Sequence, residues 1–299
     1  MLSPPVGVIG LGAMGAGMAG RVAQAGLLSR AYDIDPARTA PFGEAAANSA
    51  AEVFEAGTVV LLSLPGAAQV ESVLTAMPAH GGRNGTAAIT VVDTTTRSPQ
   101  QARDLARLVT AAGHHYLDAP VSGGALAAEQ GTLRVMIGGD DTALAGARQA
   151  LEAISGGNHV HVGPVGAGSA CKLMNNILYA ANLVTVGEAI YVAQAHGVAP
   201  TAFLDALNGA SGRSVASELV YPRFVLSGGY DSRFAIGLIR RDVELAISSL
   251  PAGCRAPVLE LLRTVWAQSA AFIADGDDTT HIFEALPAIA DAHGPEAHR

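Results

Sequence analysis

The sequence predicts an α/β N-terminal half with a mostly parallel sheet, joined by one long interdomain helix to an all-helical C-terminal half. Three observations carry this. Short β-rich runs alternate with Ala-rich amphipathic stretches up to about residue 163, the pattern of a parallel sheet wrapped by helices. The stretch from about Ser169 to His196 is apolar nearly all round. After "HVHVGPVGAG" the strand signals stop. The boundary falls near residues 163–168, which divides the chain into 1–165 and 166–299.

The first element is "VGVIGLGAMGAGMAGRVAQAG", a strand, a glycine loop and a helix ending at Gly26. Gly10, Gly12 and Gly15 form a Gly-x-Gly-x-x-Gly array, with Leu11, Ala13 and Met14 between them. Gly10 permits the tight turn, Gly12 lets the backbone approach a pyrophosphate, and Gly15 lets the helix pack on the strand. The helix N-terminus then faces the phosphates. A second strand, "RAYDID", ends in Asp33, 18 residues beyond Gly15, where a dinucleotide site needs an acid for the adenosine ribose. A carboxylate there repels a 2′-phosphate, which favours NAD over NADP; Arg38 lies close enough to leave NADP open.

The next strands are "TVVLLSLP", "AITVVDTTT", "HYLDAPVSGG", "RVMIGG" and "HVHVG". Loops at their carboxyl ends border the ligand crevice in open α/β sheets, so Leu64 and Pro65, and Thr96 in "DTTTRSP", are candidate cofactor contacts. In "VSGG", Ser122 with Gly123 and Gly124 offers a hydroxyl and backbone N–H groups suited to a carboxylate. Ordinary turn chemistry explains the Leu64–Pro65 or Thr96 loop, taken singly, equally well, whereas "VSGG" is more pointed. The histidines of "HVH" at 159–161 are read as surface residues, and no metal is expected.

The long helix, about 40 Å at 1.5 Å per residue and stopped at Gly197, suits a spine between domains or protomers. It opens with "SACKLMNNILYA", which holds the only lysine of the chain: 17 of the 18 basic residues are arginines and one is Lys172. Lys172, Asn175 or Asn176, and Tyr179 fall on one helical face. Arginine does not practically lose its proton, whereas a desolvated lysine exchanges one, so this position suits proton transfer. A nicotinamide cofactor takes a hydride and leaves the hydroxyl proton to such a group. "GPVGAGSACK" is not a phosphate loop, because the lysine comes four residues after Gly168. The tail "DAHGPEAHR" has no apolar period and is expected to fray.

Bulk properties narrow the partners. The apolar fraction is 49%, and no unbroken apolar run reaches the roughly 18–20 residues of a membrane span, so no membrane partner is expected. The net charge of −8 and the absence of basic runs argue against nucleic acid. The start "MLSPPVGVIG" shows no secretory signal, and two cysteines without paired spacing fit a reducing, cytoplasmic setting.

Taken in order, "GVIGLGAMGAGMA", "DTTTRSP", "DAPVSGGALAAEQGTL" and "GAGSACKLMNN", with a weaker "RRDVELA", resemble the β-hydroxyacid dehydrogenases, the 3-hydroxyisobutyrate dehydrogenase family. The resemblance covers nearly the whole chain. It implies a Rossmann domain, a long linking helix, a helical C-terminal domain and a homodimer or homotetramer. By position, Lys172 matches the catalytic lysine and Asn176 the substrate-orienting asparagine. Ser122, Gly123 and Gly124 match the carboxylate motif, and Thr96 the cofactor-contacting threonine. Arg241 stands where a cofactor-site lysine is usual, Arg21 where an asparagine is usual, and Ala127 where a glycine is usual. The implied reaction is reversible oxidation of a small 3-hydroxy acid such as 3-hydroxyisobutyrate or threonate. "SLPGAAQVESVL" and "DGDDTTHIF" lean towards the threonate-type branch, with tartronate semialdehyde and sulfolactaldehyde also open. Two alternatives stand beside it. One is a non-catalytic NAD-binding sensor, which leaves the Lys172/Asn176 stripe unexplained; the other is an imine reductase-like enzyme, a group that the resemblance implies usually lacks this lysine.

Overall fold

The structure is a computed structural model that describes residues 5–79 and 88–292. Most of the tail expected to fray, residues 293–299, lies outside the described residues. The chain forms two compact units, residues 1–172 and 173–299, so the division falls inside the long helix, seven residues beyond the boundary at 165 expected from sequence.

The first unit is built on one sheet: β1 (Val6–Ile9), β2 (Leu28–Tyr32), β3 (Val59–Leu62), β4 (Thr90–Asp93), β5 (His115–Asp118), β6 (Val121–Ser122), β7 (Arg134–Gly138) and β8 (His159–Gly163). β2, β1, β3, β4 and β5 run parallel in that spatial order. "HYLDAPVSGG", one strand in the sequence reading, is interrupted at Pro120, which has no N–H for the ladder. Its two parts, β5 and β6, share one antiparallel register on β7, with Asp118 opposite Gly138 and Ser122 opposite Arg134. β8 closes the far edge, parallel to β7.

The connecting helices are α1 (Ala13–Gln24), α2 (Pro36–Thr39), α3 (Ala50–Ala56), α4 (Ala67–Leu74), α5 (Pro99–Ala111), α6 (Gly124–Gln130) and α7 (Asp141–Ser155). Their starts are written locally. Ser98 and Gln101 form a capping box with Pro99 in the first turn, and Asp140 and Ser49 cap α7 and α3. Alternate strand residues go to opposite faces. Val8, Leu61, Val92 and Leu117 pack with α1 and α7 residues such as Met18 and Ile154. Ile9, Val60, Leu62 and Val91 pack with Phe54, Val70 and Leu105 from α3, α4 and α5. Each such side chain, taken wholly out of water, contributes about 1.5–3 kcal/mol before chain entropy is counted. Sheet strands buried on both faces read as continuous apolar runs for this reason.

α8 (Ala167–Ala195) begins two residues earlier than the sequence suggests and is 29 residues long. Among the described residues it is the one helix long and apolar enough, by length and composition, to cross a membrane. It meets that measure by average rather than by an unbroken run, since Thr185 and Glu188 interrupt it. Its buried stripe, including Leu173, Ile177, Leu183 and Ile190, belongs to the core of the second unit. Although the helix is apolar nearly all round, its opposite face is open: Leu178 and Val192 are 59% and 60% exposed.

The second unit continues with α9 (Pro200–Asn208), a π-helical segment (Ala216–Val225), α10 (Ile236–Ser248), α11 (Pro257–Gln268) and α12 (Ile282–Ala292). Pro222 sits inside the π-helical segment. Trp266 and Tyr221 anchor the core, and the Tyr221 hydroxyl donates to the Leu183 carbonyl of α8 at 2.6 Å. Gly187 makes that packing possible, since a Cβ there would lie 2.3 Å from the Tyr221 hydroxyl.

Candidate active site

In the first unit the glycine loop and Leu64 meet where the strand order reverses, at the carboxyl ends of β1 and β3. Gly10 has a φ of +90°, and a Cβ on it would lie 2.2 Å from the Ser63 carbonyl. A Cβ on Gly15 would lie 1.8 Å from the Gly10 carbonyl. These two glycines let α1 fold tightly onto β1, while Leu11 is buried between them. Gly12 differs: the nearest atom to its virtual Cβ is an Arg38 guanidinium nitrogen at 3.8 Å. Gly12 is the N-cap of α1 and gives the first-turn N–H groups, on and next to Ala13 and Met14, no side-chain acceptor. Open space, a helix N-terminus and donors without a cap fit a pyrophosphate.

Asp33 follows β2, and its carboxylate accepts the Leu11 N–H at 2.7 Å and the Asp35 N–H at 2.9 Å. The acid is therefore locked to the glycine loop. Arg38 lies 4.0 Å from it and 3.4 Å from Asp35. After β3, Ser63 and Leu64 are half-buried and Pro65 is exposed. The Leu64 N–H donates to Thr95 Oγ1 at 3.2 Å, and Thr94 donates to the Leu62 carbonyl at 2.7 Å. Two buried threonines of "DTTTRSP" thus pin β4's loop to β3's, and the half-buried Thr96 is the threonine left towards the loop surface.

Beneath that loop lies a buried polar cluster. Arg97, 1% exposed, forms a two-pronged pair with Asp93 and donates to the Tyr116 hydroxyl at 2.7 Å. Burial pulls the Arg97 guanidinium down, but Asp93 and its other anionic neighbours outweigh this, so it is held even more firmly protonated than usual. Burial also pushes the Tyr116 phenol well up. Cα register places Asp93 opposite Asp118 on β5. Asp118 accepts from the Gly166 N–H (3.1 Å), the Ser169 N–H (2.8 Å) and the Ser169 hydroxyl (2.6 Å), and burial lifts its carboxyl above the ordinary range.

Ser122 ends β6, and Gly123 and Gly124 follow with φ values of +129° and +71°. A Cβ on Gly123 would lie 2.6 Å from the Ala127 Cβ, so Ala127 packs directly on it; around Gly124 there is open space. α6 rests on α1 because Gly17 has no side chain: a Cβ there would lie 2.8 Å from the Glu129 nitrogen. The histidines of β8 are engaged by neighbours, His159 with Ser155 at 3.0 Å and His161 with the Gly139 carbonyl at 2.9 Å.

Lys172 is buried at 8% exposure in the second turn of α8. One turn on, Asn176, the asparagine that the resemblance singles out, is buried and Asn175 is exposed. Within the second unit Asn176 Nδ2 donates to Asp242 Oδ2 at 2.6 Å, and Asn175 Nδ2 donates to Asn176 Oδ1 at 3.1 Å. Arg241 on α10 donates to Asp242 Oδ1 from Nε (3.2 Å) and Nη2 (3.0 Å). Tyr179, the last member of the stripe, is largely buried and its phenol is pushed up to about 12. Asp118, Ser169 and Asp242 are the residues that sequence reading left without a part. The available signal was an acid ending a strand one residue from the "PVSGG" loop, but its partners lie 48 and 51 residues away.

Comparison with known proteins settles the family. Residues 5–163 match the NAD binding domain of 6-phosphogluconate dehydrogenase, and residues 166–286 match the NAD-binding region of NADP-dependent 3-hydroxyisobutyrate dehydrogenase. The chain is 34% identical to 2-(hydroxymethyl)glutarate dehydrogenase of Eubacterium barkeri over 82% of its length and 81% of that protein's. It belongs to the β-hydroxyacid dehydrogenase family. As a member, it is a nicotinamide-dependent dehydrogenase of the 3-hydroxyacid type. This dehydrogenase is also 34% identical to 2-hydroxy-3-oxopropionate reductase of Escherichia coli, over 83% of this chain and 84% of that one. Among solved structures, Mycobacterium tuberculosis 3-hydroxyisobutyrate dehydrogenase with L-serine superposes with a TM-score of 0.85 at 30% identity, covering 95% of this chain and 99% of that one. The imine reductase of Myxococcus stipitatus, at 18% identity and a TM-score of 0.63, shares the fold alone.

Proposed function

We propose that this dehydrogenase oxidises, reversibly, a small acid of the form HOCH2–CHX–COO⁻ to the corresponding semialdehyde, with NAD preferred over NADP. The substrates named for its relatives support that class. 3-Hydroxyisobutyrate, 2-(hydroxymethyl)glutarate and glycerate, the reduced form of 2-hydroxy-3-oxopropionate, all carry a primary 3-hydroxyl and differ only in X. L-serine, present with the M. tuberculosis structure, has the same skeleton. Threonate, whose C3 hydroxyl is secondary, is the variant to include in any screen.

Lys172 carries the reading: the only lysine of the chain is buried on a helix start fixed to the sheet. In oxidation its Nζ, as the free amine, takes the proton from the C3 hydroxyl, and in reduction it returns that proton to the carbonyl oxygen. The bound nicotinamide supplies the hydride acceptor. Ser122 and the N–H groups of Gly123 and Gly124 hold the carboxylate, and the glycines' left-handed conformations and open surroundings suit an anion. Asn176, its amide oriented by Asp242, turns the substrate hydroxyl towards the lysine. Gly10, Gly12 and Gly15 cradle the pyrophosphate, Asp33 takes the ribose hydroxyls, and Leu64, Pro65, Thr96 and Arg241 complete the cofactor contacts. A homodimer or homotetramer, supported by exposed Leu178 and Val192 on α8, and a cytoplasmic setting complete the reading.

The test is an initial-rate screen of the purified protein against 3-hydroxy acids and sugar acids, with NAD and NADP in parallel, alongside Lys172→Ala. The variant is expected to lose about 10²- to 10⁴-fold in kcat while its NAD affinity stays unchanged. Turnover retained in Lys172→Ala sinks the lysine assignment, and NAD binding without turnover on any acid favours a sensor.

A further inference from the structure

The first turn of α8 is fixed to the sheet by an arrangement the proposed chemistry does not itself use. Gly168 lies against the backbone of β5 and β7: a Cβ on it would come within 2.3 Å of the Asp118 carbonyl and 2.5 Å of the Met136 carbonyl. Gly138 is equally confined, its virtual Cβ lying 2.6 Å from the Pro164 carbonyl. Backbone therefore meets backbone where α8 begins. The Asp118 side chain completes the joint, with Oδ2 accepting both the Gly166 and Ser169 N–H groups and Oδ1 the Ser169 hydroxyl. Asp118 and Ser169 are both fully buried. Asp93, opposite Asp118, is occupied with Arg97 and Thr95, so the two acids at the ends of β4 and β5 have separate partners.

We propose that Asp118 is a positioning residue for Lys172. It sets the height and rotation of α8's first turn against β5, and Lys172 stands three residues beyond the serine it holds. This rests on Lys172 being the proton-transfer group. Its physical basis is that two hydrogen bonds to one helical turn, with a third to the residue preceding the helix, fix both rotation and translation. A shift of about 1 Å in a reacting group costs up to 10²-fold in rate.

The test compares Asp118→Ala, Asp118→Asn, Ser169→Ala and Lys172→Ala in the full-length enzyme. Asp118→Ala is expected to lower kcat about 10- to 100-fold, with NAD affinity by calorimetry within about twofold of wild type, and to move the pH midpoint of kcat. Asp118→Asn is expected to recover most of the turnover and the wild-type midpoint. Its amide oxygen still accepts the two N–H groups, and its NH2 donates to the Ser169 hydroxyl. Ser169→Ala, which removes one of three bonds, falls between and stands in for Asp118→Ala if that variant does not fold. Wild-type kcat and pH midpoint in the alanine variants, with Lys172→Ala inactive, overturn the positioning role alone. So does an Asp118→Asn as impaired as Asp118→Ala. Full turnover in Lys172→Ala overturns the lysine assignment on which the proposal rests.

Discussion

Asn176 and Asp242, 66 residues apart, are joined by a 2.6 Å hydrogen bond inside the second unit, and the same carboxylate accepts two hydrogen bonds from Arg241. Asn176 and Asp242 are 6% and 2% exposed, so neither partner has water to turn to. Replacing Asp242 by Ala leaves a buried amide donor unpaired and removes two hydrogen bonds from Arg241, a loss of about 1–3 kcal/mol. Urea unfolding should show the midpoint drop, and steady-state kinetics should show KM for the hydroxy acid rising more than KM for the nucleotide. An unchanged midpoint would mean that the bond carries no weight.

The proposed preference for NAD rests on Asp33 and Arg38. The Asp33 carboxylate is held by Leu11 and Asp35 beside the glycine loop, and Arg38, 54% exposed at its side chain, stands 4.0 Å away. A 2′-phosphate would meet the acid first and has Arg38 as its nearest cation. Arg38→Ala should widen the NAD over NADP ratio of kcat/KM, and Asp33→Ala should narrow it. Each change is about 10- to 100-fold, the worth of one charge-assisted hydrogen bond of roughly 1.5–3 kcal/mol. Parallel assays with the two nucleotides read it directly, and a ratio moving the other way in either variant refutes the assignment.

Asp118 also predicts a pH dependence of stability. Burial raises its carboxyl above the ordinary value, against the Ser169 hydrogen bonds and the Arg97 charge that lower it. A folded state that holds a proton more tightly than the unfolded chain loses stability as pH rises, from the unfolded value of about 3.9 up through the raised folded value. Asp118→Asn carries no such ionisation. Its stability relative to wild type should therefore improve as pH rises above about 4, as read by urea midpoints of both proteins at each pH. A gap that widens against the variant over the same range would contradict this.

Much of the first unit was legible because its determinants are local. A glycine loop between strand and helix, an acid ending the next strand, and continuous apolar runs each follow from a few neighbouring residues, and the structure shows them as β1, α1, β2 and the buried strands. "DAPVSGG" read as a single strand because alternation says nothing about Pro120 splitting one edge into β5 and β6. The start of α8 was placed two residues late because the partner that secures it lies 48 to 51 residues upstream.

By itself the sequence determined that a dinucleotide fold precedes a helical unit, and that a single lysine stands on a helical stripe with two asparagines. Local periodicity and residue chemistry suffice for that. The burial of Asn176 beside an exposed Asn175, the joining of Asn176 to Asp242, and the fixing of Lys172's helix by Asp118 were decided only by the tertiary structure. Each depends on which distant groups share a buried volume. A buried polar atom must find its partner there at whatever separation along the chain, and no neighbouring residue records that choice.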